Sequence, residues 1–225
     1  MARKKKDDAQ LTSTALLDAA ERVFFDNGVA RTTLNDVAVA AGLTRGAIYW
    51  HFKDKADLLR AMFARALLPN EAMLRELEQS HDENPLRILR TMCVEVLCNL
   101  AHSPAQQRVF SIMFHKCEHV GPLVSILEDK RTKSDECQAQ VRSVLQRAVN
   151  SGYLPADTDI GMAHQVISNF MSGTLSEWLF APNAYALDTY APVMVDMMLA
   201  GLQALPPRRK PPQVAADKAG AALTA

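Results

Sequence analysis

Between Thr44 and Lys55 the chain reads TRGAIYWHFKDK, a stretch crowded with hydrogen-bond donors. The guanidinium of Arg45 is a planar fork that matches the O6/N7 edge of guanine, and it serves a phosphate equally well. Thr44, Tyr49, Trp50 and His51 can donate to phosphates or base edges, and a threonine methyl can touch that of thymine. Gly46 lowers helix propensity, so its small size points to close approach by another backbone. Lys53 and Lys55 supply two cations just beyond for a further phosphate. The chemistry implied is the gripping of a charged polymer with an edge to be read.

Such side chains work only if they project from one rod. Leu34, Val37 and Ala38 recur at helical spacing, Ala41-Gly42-Leu43 breaks the run, and Thr44 opens a second short helix carrying Ala47 and Ile48. Two short helices, each preceded by a threonine cap and separated by a glycine able to turn left-handed, form the helix-turn-helix signal. Thr33 caps the first, with Asp36 three residues on as the capping-box partner, and helix-start N–H groups there can also bind a phosphate. Trp50 either packs inward or reaches the backbone of the polymer, Phe52 belongs to the core, and Asp54 caps the next helix.

The flanking chain supplies scaffolding. A first helix is predicted from about Gln10 to Asp26 on the stripe Leu16, Leu17, Ala20, Val23, Phe24, ended by Asn27-Gly28. Before it, residues 1–9 form a basic arm (Arg3 to Lys6), either a solvated tail or a phosphate contact. A fourth helix starts at Lys55 and runs toward Ser80, with Pro69 interrupting its bonding and kinking it. Helices follow over 86–101, from 103–104 through Phe114, over 123–150, 159–180 and 187–205, with boundaries at 80–85, 121–122 and 151–155. The charged run from Glu128 to Glu136 suits a solvated face. The last two helices are too apolar for one core-facing stripe, and the surplus suits a two-fold subunit contact. Residues 206–225, rich in proline and poor in large apolar groups, read as a disordered tail.

Bulk properties exclude other classes. With 225 residues and 48% hydrophobic residues the chain can build a real core. No apolar run approaches the ~18 residues of a membrane span, and the charged N-terminus is no secretory leader. The four cysteines lack CxxC pairing and suit a reducing cytoplasm. The formal charge is zero, but residues 1–65 hold 11 Lys/Arg against 8 Asp/Glu, a difference of +3. So small an excess makes the placement of charges, and having two copies, decisive. No P-loop, GxSxG, HExxH or GxGxxG is present, so no enzyme is predicted. His115, Cys117 and His119 lie close together, but no further ligand is evident and no metal or other cofactor is expected.

The segment Thr32 to Lys55, with Tyr49-Trp50-His51-Phe52 followed by Lys53 and Lys55, resembles the DNA-binding domain of TetR-type repressors. Arg31-Thr32-Thr33-Leu34 and Thr44 through Phe52 are similar, more narrowly, to the AcrR/TtgR group that represses multidrug efflux operons. The strong match covers about residues 10 to 65; beyond it the likeness rests on Pro85-Leu86, His115 through Glu118 and Gly173. The resemblance implies an all-α, TetR-like fold: a three-helix DNA-binding domain at 10–54 and a ligand-binding and dimerisation domain at 55–205. It adds Ala47 to the DNA-facing set and makes Tyr49 and His51 phosphate anchors. It also implies a drug pocket lined by Leu67, Leu89, Met92, Cys93, Val96, Phe110, Phe114, Cys137, Val141, Met171 and Leu175. Relatives place polar groups at the positions of Phe110 and Phe114, so this pocket should be greasier and smaller.

The function expected is repression from a palindromic operator in double-stranded DNA by a cytoplasmic homodimer, relieved by a small hydrophobic ligand. The alternative is a dimeric regulator that needs no ligand. A helical enzyme or carrier with an incidental helix-turn-helix is the rival of another class.

Overall fold

The computed structural model describes residues 2–78, 84–117 and 139–209, with side chains over 9–67, 84–117 and 139–209. Every named element among them is helical; the only strand-like pairing is an isolated bridge between Thr158 and Arg208.

The first helix, α1 (Ala2–Asn27), begins well before the expected Gln10, so the arm's backbone continues the helix instead of preceding it. Lysine and arginine are good helix formers, and propagation from an existing helix is far easier than nucleation. At its other end Gly28, at φ +80°, donates its N–H to the Phe24 carbonyl at 2.9 Å. Then α2 (Leu34–Ala40) and α3 (Arg45–His51) follow, joined through Gly42 at φ +68°. Leu16, Phe24, Leu34, Val37, Ala38 and Ile48 are buried together where α1, α2 and α3 meet. Full burial of each large aliphatic among them contributes about 1.5–3 kcal/mol.

Helix α4 (Lys55–Glu78) leads out of this unit and packs on α1, α5 and α6. The helical backbone continues across Pro69 toward the expected end near Ser80. One lost N–H bond bends a long helix more readily than it ends one. Helix α5 (Pro85–His102) starts at Asn84, whose side chain accepts from Leu86 N at 3.0 Å. Helix α6 (Pro104–Ser111) starts at Ser103 and continues into a π-helical turn, Ile112–Lys116. Of the long helix predicted to Asn150, residues 139–150 are described, as α7; the boundary at 121–122 and the charged run lie outside the described residues.

Helix α8 (Ile160–Phe180) is capped by Asp159, which accepts from Met162 N at 3.0 Å, and α9 (Leu187–Ala204) lies along α5. A bidentate pair, Arg90 Nε to Asp196 Oδ1 at 2.6 Å and Nη2 to Oδ2 at 3.0 Å, crosses from α5 to α9.

The tail expected from residue 206 is held for its first four residues. Asp159 N donates to Pro207 O at 2.7 Å, Arg209 N donates to Asp157 O at 2.8 Å, and Arg208 pairs with Asp157. Residues 210–225 lie outside the described ones.

Candidate functional site

The polar face predicted between Thr44 and Lys53 is carried by α3, its cap Thr44 and the residues just after it. Thr44 sits in extended backbone with its hydroxyl accepting from Ala47 N at 3.3 Å. Ile48 is fully buried in the core, and α3 packs on α2. With that side chain inward, Thr44, Arg45, Gly46, Tyr49 and Trp50 are exposed, and Ala47 is half-buried. Trp50 is 73% exposed, which settles its two options in favour of the outer face. The Arg45 guanidinium lies 5.6 Å from the Tyr49 ring centre, a cation–π arrangement that keeps the fork extended along the outer face. His51 stands edge-on to Trp50 at 4.6 Å, and partial burial lowers its pKa, which favours the neutral imidazole. It offers one N–H donor in place of a charge. Lys53 is exposed, and its backbone N donates to Asp57 Oδ2 at 3.1 Å. Asp54 caps α4 as predicted, accepting from Asp57 N at 2.8 Å.

Two members of the predicted set are placed differently. Thr33 donates both its N–H (2.8 Å) and its hydroxyl (2.7 Å) to Asp36 Oδ2, while its oxygen accepts from Asp36 N at 3.2 Å. Both donors are thereby committed and a carboxylate already occupies the helix start, which leaves Thr33 as a cap and disfavours a phosphate there. These same bonds hold the Asp36 carboxyl below the usual range. Lys55 is half-buried, and its ammonium donates to the carbonyls of Val29 at 2.8 Å and Ala30 at 3.4 Å. It braces the α1–α2 turn instead of reaching outward with Lys53.

Most of the predicted chamber residues lie in or against the hydrophobic core. Leu89, Cys93, Phe110, Val141 and Leu175 are buried, with Leu67, Met92, Phe114 and Met171 packed half-buried against them. Val96 is half-buried on α5, and Cys137 lies outside the described residues. Phe110 and Phe114 stack at 6.3 Å with planes 20° apart across the start of the π turn. Burial pushes the Cys93 thiol up to about 12, so it is a neutral apolar group. Any ligand here would meet aromatic faces, thioethers and aliphatic carbons.

A second apolar region faces outward on α8 and α9. Val166, Val193 and Met197 are exposed, Met197 to 71%. An open cleft of about 530 Å³ runs between the helices, lined by Val166, Phe170, Met194 and Met198 among others. As for metal, His115 Nε2 lies 3.1 Å from the Ser176 carbonyl oxygen, and His119 lies outside the described residues. Among the described residues no group of three or more His, Cys, Asp or Glu could hold an ion. None of their helices is long and apolar enough to cross a membrane.

Two family models match. Residues 16–62 match that of bacterial regulatory proteins of the tetR family, and residues 84–204 match the C-terminal region of MAATS-type transcriptional repressors. The chain is 35% identical over 215 residues to the HTH-type transcriptional regulator AcrR of Shigella flexneri, covering 94% of this chain and 98% of that one. Its fold is similar to that of NalD, the secondary repressor of the MexAB-OprM multidrug efflux pump in Pseudomonas aeruginosa. The TM-score is 0.77 at 30% identity, covering 86% of this chain and 96% of that one. A complex of SmeT with triclosan is similar as well, with a TM-score of 0.75 at 28% identity over 85% of this chain and 91% of that one. SmeT is the repressor of the Stenotrophomonas maltophilia efflux pump SmeDEF.

Proposed function

The chain belongs to the TetR family of bacterial regulatory proteins, and from that premise we propose that it is a homodimeric, cytoplasmic repressor of a multidrug efflux operon, released from a palindromic operator by a small hydrophobic ligand. The observation that carries the proposal is the outer face of α3: Arg45, Tyr49 and Trp50 stand exposed above a fully buried Ile48. Arg45 reads a base edge, Gly46 and Ala47 let the helix approach, and Thr44, Tyr49, Trp50, His51 and Lys53 hold phosphates on either side. The DNA-binding domain is residues 10–54, and 55–205 bind ligand and dimerise.

Two copies joined through the exposed apolar faces of α8 and α9 present two such helices, and a two-fold pair reads a two-fold site. Met92, Phe110, Phe114 and Met171 give the larger domain a lining that repacks around different apolar shapes. Similarity to repressors of efflux pumps, one of them bound to triclosan, supports the same role here. The role is regulatory, with no catalytic step. Linkage requires the ligand to bind the DNA-free form more tightly.

The test is an electrophoretic shift with DNA from upstream of the protein's own gene, repeated with triclosan and with a panel of hydrophobic antibiotics, flavonoids and biocides. A retarded complex that dissolves with at least one compound is the expected result. A complex that none of them dissolves leaves the ligand-independent regulator, and no complex even at low salt removes the operator reading altogether.

A further inference from the structure

The three-helix unit is tied to the larger domain through α1, at two places about one helical turn apart. At the first, the Glu21 carboxylate is only 4% exposed and meets arginines from two other helices. Oε1 accepts from Arg108 Nε of α6 at 2.7 Å, with Nη2 at the same distance, and Oε2 accepts from Arg65 Nη2 of α4 at 3.4 Å. Arg65 Nη1 continues to Asp18 Oδ1 of α1 at 2.7 Å. At the second, Lys116, the last residue of the π turn, donates Nζ to the Phe25 carbonyl at 2.6 Å and lies 4.3 Å from the Phe25 ring centre. Its own carbonyl accepts from Val29 N at 3.2 Å.

These contacts restrict how α1 can sit. A buried carboxylate shared by two guanidinium groups has few positions of low energy, because moving away from either leaves charge without a partner. Carbonyls in the last turn of a helix have no partner within it, so an ammonium there is held by an otherwise unmet need. The turn that ends in Lys116 also carries Phe114, two residues earlier, and π turns are frequent at functional sites. The α1–α2 turn is thus gripped by Lys116 from the larger domain and by Lys55 from the start of α4, directly before the Thr33 cap.

We infer that Glu21 and Lys116 are positioning residues that fix the angle of the DNA-reading unit on the larger domain, and thereby the half-site spacing that the symmetric pair accepts. The inference rests on the dimeric operator reading above.

The test selects duplexes from a random pool with the wild-type protein, then remakes them with one or two base pairs added or removed at the centre. Wild type prefers its own spacing. Lys116→Met keeps packing against Phe25 without the charge, and Glu21→Gln keeps the shape of the carboxylate without its charge. Both should flatten the spacing preference by on the order of fivefold or more, while Lys116→Arg retains it. Melting temperature and oligomeric state are measured on the same samples. A merely structural fault weakens all spacings alike, and that result overturns the inference, as does a full preference in both variants. Should Glu21→Gln fail to fold, Lys116→Met decides alone. A wild-type protein that selects no duplex, or only duplexes without two-fold symmetry, sinks the operator reading first and this inference with it.

Discussion

At the scale of single residues, Arg45 and Gly46 are where the proposed reading of DNA can be separated from folding. Arg45 makes no ion pair with a carboxylate among the described residues, and its cation–π partner Tyr49 is itself exposed. Arg45→Ala should therefore leave the melting temperature nearly unchanged while weakening operator binding by about 1–3 kcal/mol and relaxing selectivity at one base pair. Footprinting and binding isotherms on single-base variants of the operator check this, and unchanged selectivity would remove Arg45 from the reading face. Gly46 is the complementary case. A Cβ added there would meet only the Thr44 hydroxyl at 3.9 Å, which is ordinary contact. Gly46→Ala should stabilise the fold by up to about 1 kcal/mol through helix propensity, and weaken DNA binding because the added methyl stands on the approaching face. Thermal melts and shift assays on that variant should move in opposite directions.

At the scale of elements, Gly42 shows what the turn between α2 and α3 demands. A Cβ there meets nothing within 4 Å, so space is no obstacle, but its φ of +68° is one that L side chains resist. Gly42→Ala should cost roughly 1–2 kcal/mol of stability from backbone strain alone, read by denaturant unfolding, and Gly42→Asn should cost less. Helix α8 carries a pH-dependent element. His164 is buried, its Nε2 lies 3.2 Å from Ser168 Oγ, and its Nδ1 has no hydrogen-bond partner among the described residues. Burial first, and the positive Arg142 second, lower its pKa. The folded imidazole binds a proton more weakly than the unfolded one. Its contribution to stability is therefore complete above the ordinary histidine value of about 6.5 and is lost as the pH falls through that value toward the lower folded one. The melting temperature should decline across that window, and His164→Gln should flatten the decline. A carboxylate behaves alike at lower pH: the depressed pKa of Asp36 stabilises above the ordinary range near 3.9, and the contribution fades as the pH falls through its folded value.

At the scale of the whole molecule, the apolar surplus of α8 and α9 asks for a partner. Met197 and Val193 stand exposed on α9, beside a cleft whose lining is almost wholly hydrocarbon and thioether. Met197→Asp would put a charge into the proposed two-fold contact, where it meets its own copy or lies close to it. Sedimentation velocity should show the variant shifted toward a single subunit, and operator binding should fall with it, because one recognition helix alone has half of a palindrome to read. A variant that stays dimeric and binds fully would place the interface elsewhere.

Much of this was legible in the residues themselves. Capping chemistry is local: Thr33, Asp36, Thr44, Asp54, Asn84 and Asp159 each bond within four residues, so helix starts follow from neighbours in the chain. Periodicity likewise showed which side of α3 is buried, since Ile48 has no polar alternative. Where a long side chain ends was not legible. Lys53 and Lys55 are alike in sequence, yet Lys55 finds carbonyls 25 and 26 residues upstream while Lys53 faces outward. Glu21 looks like any polar residue on an amphipathic helix until α4 and α6 bring Arg65 and Arg108 to it, 44 and 87 residues away. The sequence by itself determined most of the helices, their caps and which residues stand on the exposed face of α3, because these depend on interactions within a turn or two. Only the tertiary structure decided which charges are tied to other parts of the fold, as Glu21, Lys55 and Lys116 are, and which are left exposed, as Arg45 and Lys53 are, because that depends on partners brought together by packing across the chain.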